Sequence, residues 1–199
     1  MKGPDLQGDG TPLPDSSGLI PRHIFTKEAL DRAEFANVSK ILPKYILKKP
    51  AERTAPFNFK WFLKLHGEMF GEVWEWAGRL RRHGLNLGVA PVKIAPELHA
   101  VQSELRGWEE TGMDPLEIAV RLHYRLVWIH PFAGGNGRWA RMVSNIYLRK
   151  KDLPLILWPE DRFTIQGDIR DAYIVALRRA DQGDFQPLID LHKKFWKKE

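Results

Sequence analysis

The sequence contains no cysteine among its 199 residues, which excludes disulfides and any thiolate metal site. No apolar run is long enough to cross a bilayer, and the first residues lack the apolar core of a secretory leader. These absences lead us to expect a cytoplasmic protein without a membrane partner. Acidic side chains are the minority, 25 against 31 basic, for a formal charge of +6. Part of the excess lies in Lys193, Lys194, Lys197 and Lys198, where a solvated helix end accounts for it. Another part lies in Arg79, Arg81 and Arg82. No recognised nucleic-acid motif accompanies either group, so a nucleic-acid partner is disfavoured. His66, His83, His99, His123 and His192 show no metal-ligand spacing, and no metal site is assigned. His123 is expected to be packed. No internal repeat is evident.

What is present is enough apolar residue, 43% of the chain, for one sizeable core rather than two. Residues 1–21 hold four prolines and four glycines and read as an extended arm. Residues 22–199 read as a single helical domain. Thr26 and Glu28 start a helix running through Asn37. A second is expected over 58–73, with Trp61, Phe62, Leu65, Met69 and Phe70 inward, and others over 96–111, 137–150 and 185–196. Residues 161–181 also have helical spacing. Leu116, Ala119, Leu122, Leu126 and Ile129 recur at three and four, predicting a helix over 115–129 that Asp114 caps and Pro115 begins. The alternating apolar residues of 80–95, with Gly88 and Pro91 among them, predict a short β-hairpin.

The most informative run is His130-Pro131-Phe132-Ala133-Gly134-Gly135-Asn136-Gly137-Arg138-Trp139-Ala140-Arg141. His130 precedes a proline, which biases it away from helical geometry. The glycines then open a second helix, whose apolar residues include Met142, Ile146 and Leu148. A helix N-terminus offers unpaired N–H groups and a positive dipole end, and glycines let a phosphate approach closely. Asn136 could cap the helix or orient a ligand oxygen. Arg138 and Arg141, three apart, share a face near that end and suit a polyphosphate. His130 has an imidazole that accepts a proton near neutral pH. The alternative is a plain helical corner with a buried histidine and surface arginines; seven fixed residues at fixed spacing weigh against it.

This run resembles the signature of the Fic/Doc family, His-Pro-Phe-x-acidic-Gly-Asn-Gly-Arg-x-x-Arg. The resemblance extends over roughly residues 25–190, with Trp74-Glu75-Trp76-Ala77-Gly78 resembling the family's Trp-Ala-Gly segment. It implies an all-α fold, a Fic-type helical bundle with a short β-hairpin flap. It implies a transferase that moves AMP, or another nucleotidyl group, from ATP to a Ser, Thr or Tyr hydroxyl of a target protein. His130 would be the general base, with Gly134, Gly135, Asn136, Gly137, Arg138 and Arg141 binding the nucleotide. Tyr173, on a late helix, would stack on or bond to the base, or else be a core tyrosine. Leu85, Asn86, Leu87 and Gly88 would form the flap that clamps the target by strand addition. Many members are restrained by a glutamate that pairs with the second motif arginine. Glu34 is the nearest equivalent, as a possible inhibitory partner of Arg141, and a separate antitoxin protein is the other route to restraint.

One position departs from the family. Gly134 stands where other members carry the carboxylate that holds Mg²⁺, so the ion is expected to ride weakly on the phosphates. Slower transfer, a redirected phosphotransferase geometry and a catalytically impaired binding module are all compatible with glycine there. Gly8-Asp9-Gly10-Thr11-Pro12-Leu13 through Gly18-Leu19-Ile20-Pro21 is similar to the opening of a Fic branch called mobile mystery protein B. That branch also lacks the acidic residue.

Overall fold

Among the residues that the computed structural model describes, 16–159 and 168–196, eight helices account for the regular structure. They are α1 (Lys27–Ser39), α2 (Leu42–Tyr45), α3 (Phe59–Phe70), α4 (Pro91–Glu110), α5 (Pro115–Ile129), α6 (Asn136–Lys150), α7 (Asp168–Ala180) and α8 (Gln186–Phe195). The centre is the pair α5–α6, the most extensive contact among the described helices. Helix α4 lies along α5, α3 reaches both α4 and α6, and α1 covers α3. The hairpin α7–α8 closes the far side of α5.

Local chemistry sets the helix starts. The Asp114 carboxylate accepts from the N–H groups of Leu116 and Glu117, with Pro115 as the first helical residue. Thr26 caps α1 through Ala29, and Asn58 caps α3 through Trp61. Every apolar position expected to face inward on α5 is buried, from Leu116 to Ile129. The same holds for Trp61, Phe62, Leu65, Met69 and Phe70 on α3. The Asn37 carboxamide joins α1 to the end of α3 by donating to the Glu68 carbonyl and accepting from Glu72 N–H.

Three expectations need revision. The hairpin over 80–95 does not form. Among the described residues there is no strand, only isolated bridges pairing Leu19 with Trp74 and Ile156 with Trp196. The two ends of this segment pair instead with the loop after α5: Arg81 N–H donates to the Pro131 carbonyl and Val89 N–H to Ile129. Helix α4 then begins at Pro91, earlier than expected, with Pro96 inside its first turns. A short helix, α2, was not anticipated.

The arm expected over 1–21 lies partly outside the described residues, as does 160–167 of the late helix. Residues 16–20 are docked: Ile20 N–H donates to the Val73 carbonyl, and Glu75 N–H to Gly18. No helix among the described residues is long and apolar enough to cross a membrane.

Candidate functional site

The run from His130 to Arg141 forms the corner between α5 and α6. His130 caps α5 in a left-handed conformation (φ 50°), and Gly135 caps α6 in the same region (φ 72°). A side chain at Gly135 would also strike the Phe70 ring, its Cβ only 2.7 Å from the ring edge, so this position needs glycine on both counts. The first helical bond of α6 is Trp139 N–H to the Gly135 carbonyl. The N–H groups of Asn136, Gly137 and Arg138 lie ahead of it, the positions where a helix has no internal acceptor. They form the positive end of α6, ready for an anion.

Three side chains hold this corner by its backbone. The buried Asn136 carboxamide accepts from Phe132 N–H and donates to the Phe132 carbonyl, both at 2.9 Å. It therefore neither caps the helix nor points at a ligand; both its polar ends are used inside the turn. His66 on α3 accepts from Gly78 N–H at Nδ1 and donates from Nε2 to the Gly134 carbonyl, each at 3.0 Å. Its ring stacks on Phe132, centroids 3.6 Å apart. Burial, against a raising bond to Gly134, drives the His66 pKa down to about 3, so the ring is neutral. Arg81, also buried, donates to the carbonyls of His130, His83 and Val89 at 2.7, 2.9 and 2.5 Å. Neither His66 nor Arg81 was expected to serve the site. The readable signal was a histidine inside an otherwise apolar helix face.

The His130 ring is half-buried. Burial and then the Arg81 charge lower its pKa below the ordinary value, opposed by a hydrogen bond to the Val127 backbone. The neutral imidazole donates there, which leaves its other nitrogen free to accept a proton. Gly88 (φ 86°) lies directly against it: a Cβ there would stand 2.5 Å from the His130 Cβ. Of the flap residues expected around it, Leu85, Asn86, Leu87 and Gly88 are all exposed.

The two arginines have different surroundings. Arg138 pairs with Glu34 of α1 at 2.7 Å and lies over the Phe70 ring. The same carboxylate accepts from Trp74 Nε1 at 2.7 Å. The expectation that Glu34 meets Arg141 is thus corrected: α1 sits over Trp74 and the end of α3, which is the side Arg138 takes. Arg141 is buried, and its guanidinium folds back over Gly137, where a Cβ would stand 3.3 Å from Nη1. Both guanidinium groups therefore flank the start of α6.

Behind Arg141 lies a buried relay. His192 Nδ1 is 2.7 Å from the Leu188 carbonyl, His123 Nδ1 is 2.8 Å from His192 Nε2, and Tyr173 Oη is 3.1 Å from His123 Nε2. The carbonyl can only accept, so neutral rings fix every direction: His192 donates to Leu188, His123 to His192, and Tyr173 to His123. Burial followed by the Arg141 charge takes His192 down to about 3. Burial, then His192 and Arg141, lowers His123. Tyr173 belongs to this interior cluster, with its hydroxyl engaged by His123 and its ring stacked on it.

Gly134 meets an obstacle where a side chain would extend: its Cβ would stand 2.9 Å from Trp76 Cη2. Among the described residues no three metal-ligating side chains cluster, and the nearby carboxylate, Glu34, is committed to Arg138 and Trp74. Among the described residues, the donors at this corner supply no carboxylate at position 134 for a magnesium ion.

Residues 56–148 match the model of the Fic/DOC family. Among curated relatives, Protein adenylyltransferase fic-1 of Caenorhabditis briggsae is 32% identical over 117 residues, 57% of this chain and 22% of that protein. Protein adenylyltransferase Fic of Nematostella vectensis is 27% identical over 168 residues, 82% of this chain and 38% of that protein. This chain thus spans well under half the length of these relatives. Among solved structures, a Fic-1 fragment from C. elegans superposes with a TM-score of 0.69 at 24% identity, covering 90% of this chain and 52% of that one. BepC from Bartonella tribocorum, solved with bound AMPPNP, gives 0.65 at 20% identity, covering 96% and 95%.

The neutral histidines make stability depend on pH. His66 and His192 titrate near 3 when folded and near 6.5 when unfolded. Between those values the unfolded chain binds more protons, so stability is full above about 6.5 and falls as pH drops toward 3. Thermal midpoints followed from about pH 7.5 to 4 should decline, and His66→Gln should lessen the decline. Equal declines in both proteins would remove His66 as a contributor.

Proposed function

Because residues 56–148 form a Fic/DOC-family domain, we propose that the chain transfers AMP from ATP to a hydroxyl side chain of a target protein. The observation that carries this reading is a neutral His130 at the α5 end of the corner and, at its other end, the N-terminus of α6 flanked by two arginines. The phosphates would lie on the N–H groups of Asn136, Gly137 and Arg138, with Arg138 and Arg141 matching their charge. The target hydroxyl oxygen would attack the α-phosphorus while His130 takes its proton. The α–β phosphoanhydride bond would break, and pyrophosphate would leave. Positioning supplies much of the rate, since a target strand laid beside Gly88 would put its hydroxyl within reach of His130. Magnesium enters on this reading as part of the nucleotide substrate, without a side-chain ligand at position 134. The narrower placement in the mobile mystery protein B branch rests on residues 8–21, and Gly134 fits it.

A second reading has a specific observation behind it. Trp76 abuts the place where the missing carboxylate would project, which favours a module that binds nucleotide and target without turnover. ATP labelled at the α-phosphate separates the two. Incubated with Mg²⁺ and a cell lysate, the native protein should label protein bands and His130→Ala should not. Nucleotide binding without His130-dependent bands would leave the binding module.

Glu34 is proposed as a restraint on nucleotide entry, acting through Arg138. Its carboxylate competes with the phosphates for that guanidinium. Removing the charge as Glu34→Gln should tighten ATP binding about fivefold, the equivalent of about 1 kcal/mol for a partly exposed ion pair. Unchanged affinity by calorimetry would end this role.

A further inference from the structure

The acceptor of the proposed transfer has a recognisable chemistry. Residues 76–96 contain Arg79, Arg81, Arg82 and Lys93 and no aspartate or glutamate. That is a surplus of four cations in a chain whose net charge is only +6. Arg81 is consumed internally by three carbonyls. Arg79, Arg82 and Lys93 are exposed, and among the described residues no ion pair engages them. They stand around the segment that lies against His130.

Exposed apolar residues accompany these cations in the segment and at the end of α5, to which Val89 N–H bonds at Ile129. Leu85, Leu87 and Val92 are 47%, 67% and 84% exposed, and Trp128, two residues before His130, is 39% exposed. Exposed apolar side chains gathered beside a reactive group mark an interaction surface. The segment is also firmly held. Arg81 clamps its two ends at His83 and Val89, and Val89 N–H bonds to Ile129. Between those ends the backbone from Arg82 to Gly88 makes no main-chain bond to another described residue; apart from the His83 carbonyl, which Arg81 takes, its N–H and C=O groups are left for an added strand.

We infer that this surface selects an acidic, extended protein segment. Carboxylates on either side of the acceptor hydroxyl would meet Arg79 and Arg82, and an apolar side chain between them would settle on Leu85, Leu87 and Val92. A nucleic acid would satisfy the charge but not the rest. Stacking along a strand needs successive aromatic platforms; residues 77–96 contain no Phe, Tyr or Trp, and the exposed Trp128 offers a single ring with the Arg125 guanidinium 4.9 Å over it. The inference rests on the transfer reading for its biological sense, but the binding it predicts can be measured without turnover.

The test uses the full chain carrying His130→Ala, so that nothing is consumed. Two fluorescein-labelled peptides present the same Val-Thr-Val centre, one flanked by Asp and Glu, the other by Lys and Arg. Fluorescence anisotropy at low salt should show the acidic peptide binding at least about tenfold more tightly, with the preference shrinking as salt is raised. Arg79→Glu with Arg82→Glu should abolish or reverse the preference, and Leu87→Ala should weaken both peptides. These residues are exposed, and circular dichroism would confirm that the variants stay folded.

Equal binding of the two peptides, or a preference that survives the double substitution, would overturn the inference. So would a single-stranded oligonucleotide that binds as tightly and displaces the acidic peptide. Peptide preference without His130-dependent labelling would leave this surface standing and remove the transfer. Labelling of lysate proteins without peptide preference would do the opposite.

Discussion

Two hydrogen bonds between the Asn136 carboxamide and the backbone of Phe132 close the turn on which the site depends. They join the residue after the proline to the first residue of α6, so the loop between can adopt little else. Such a bond pair inside a dry environment is stronger than its equivalent in water, and each polar end would be costly to leave unpaired. Phe132 is thereby driven into the core against His66 and Trp139. His66 fixes the Gly134 carbonyl and Arg81 the His130 carbonyl. Three side chains from three different segments thus hold consecutive parts of one turn. The N–H groups at the start of α6 have no acceptor within their own helix, while the nearby carbonyls of His130, Phe132 and Gly134 are already bonded. That is the arrangement a preorganised anion site requires.

The arginines extend this logic outward. Arg138 is tied to Glu34, a buried carboxylate that also accepts from Trp74. The position of α1 and the availability of Arg138 are therefore linked: whatever displaces one bond disturbs the other. Arg141 lies instead before two neutral histidines whose lowered pKa values keep charge from accumulating beside it. The relay from Tyr173 to Leu188 ties α7 and α8 into the floor beneath that arginine. One guanidinium is thus coupled to the N-terminal helices and the other to the C-terminal pair.

Much of this was legible in the sequence. Asp114-Pro115 and His130-Pro131 bracket α5, because capping and proline sterics act within a few residues. The apolar stripes of α3 and α5 were equally readable. The segment 80–95 was misread because its alternation is real but its pairing is not. Gly88 turns the chain against His130, Arg81 takes the carbonyls a partner strand would need, and Pro91 starts a helix. The sequence marks Glu34 but not its partner, because which arginine it meets depends on how α1 crosses α3. His66 and Arg81 were passed over because their partners, Gly78, Gly134 and the carbonyls of 83, 89 and 130, belong to remote or adjoining backbone that carries no side-chain signature. Asn136 belongs to the recognised motif, but its role inside the turn emerges only from geometry.

Phosphate binding requires that the start of α6 be held open. Backbone amide exchange at Gly135 to Arg138, followed by NMR with and without Mg²⁺–ATP, addresses it directly. Exchange should be rapid in the free protein and slow markedly at Asn136, Gly137 and Arg138 when nucleotide is added. Exchange at those amides that stays unchanged at saturating nucleotide, in a protein that remains folded, would contradict it.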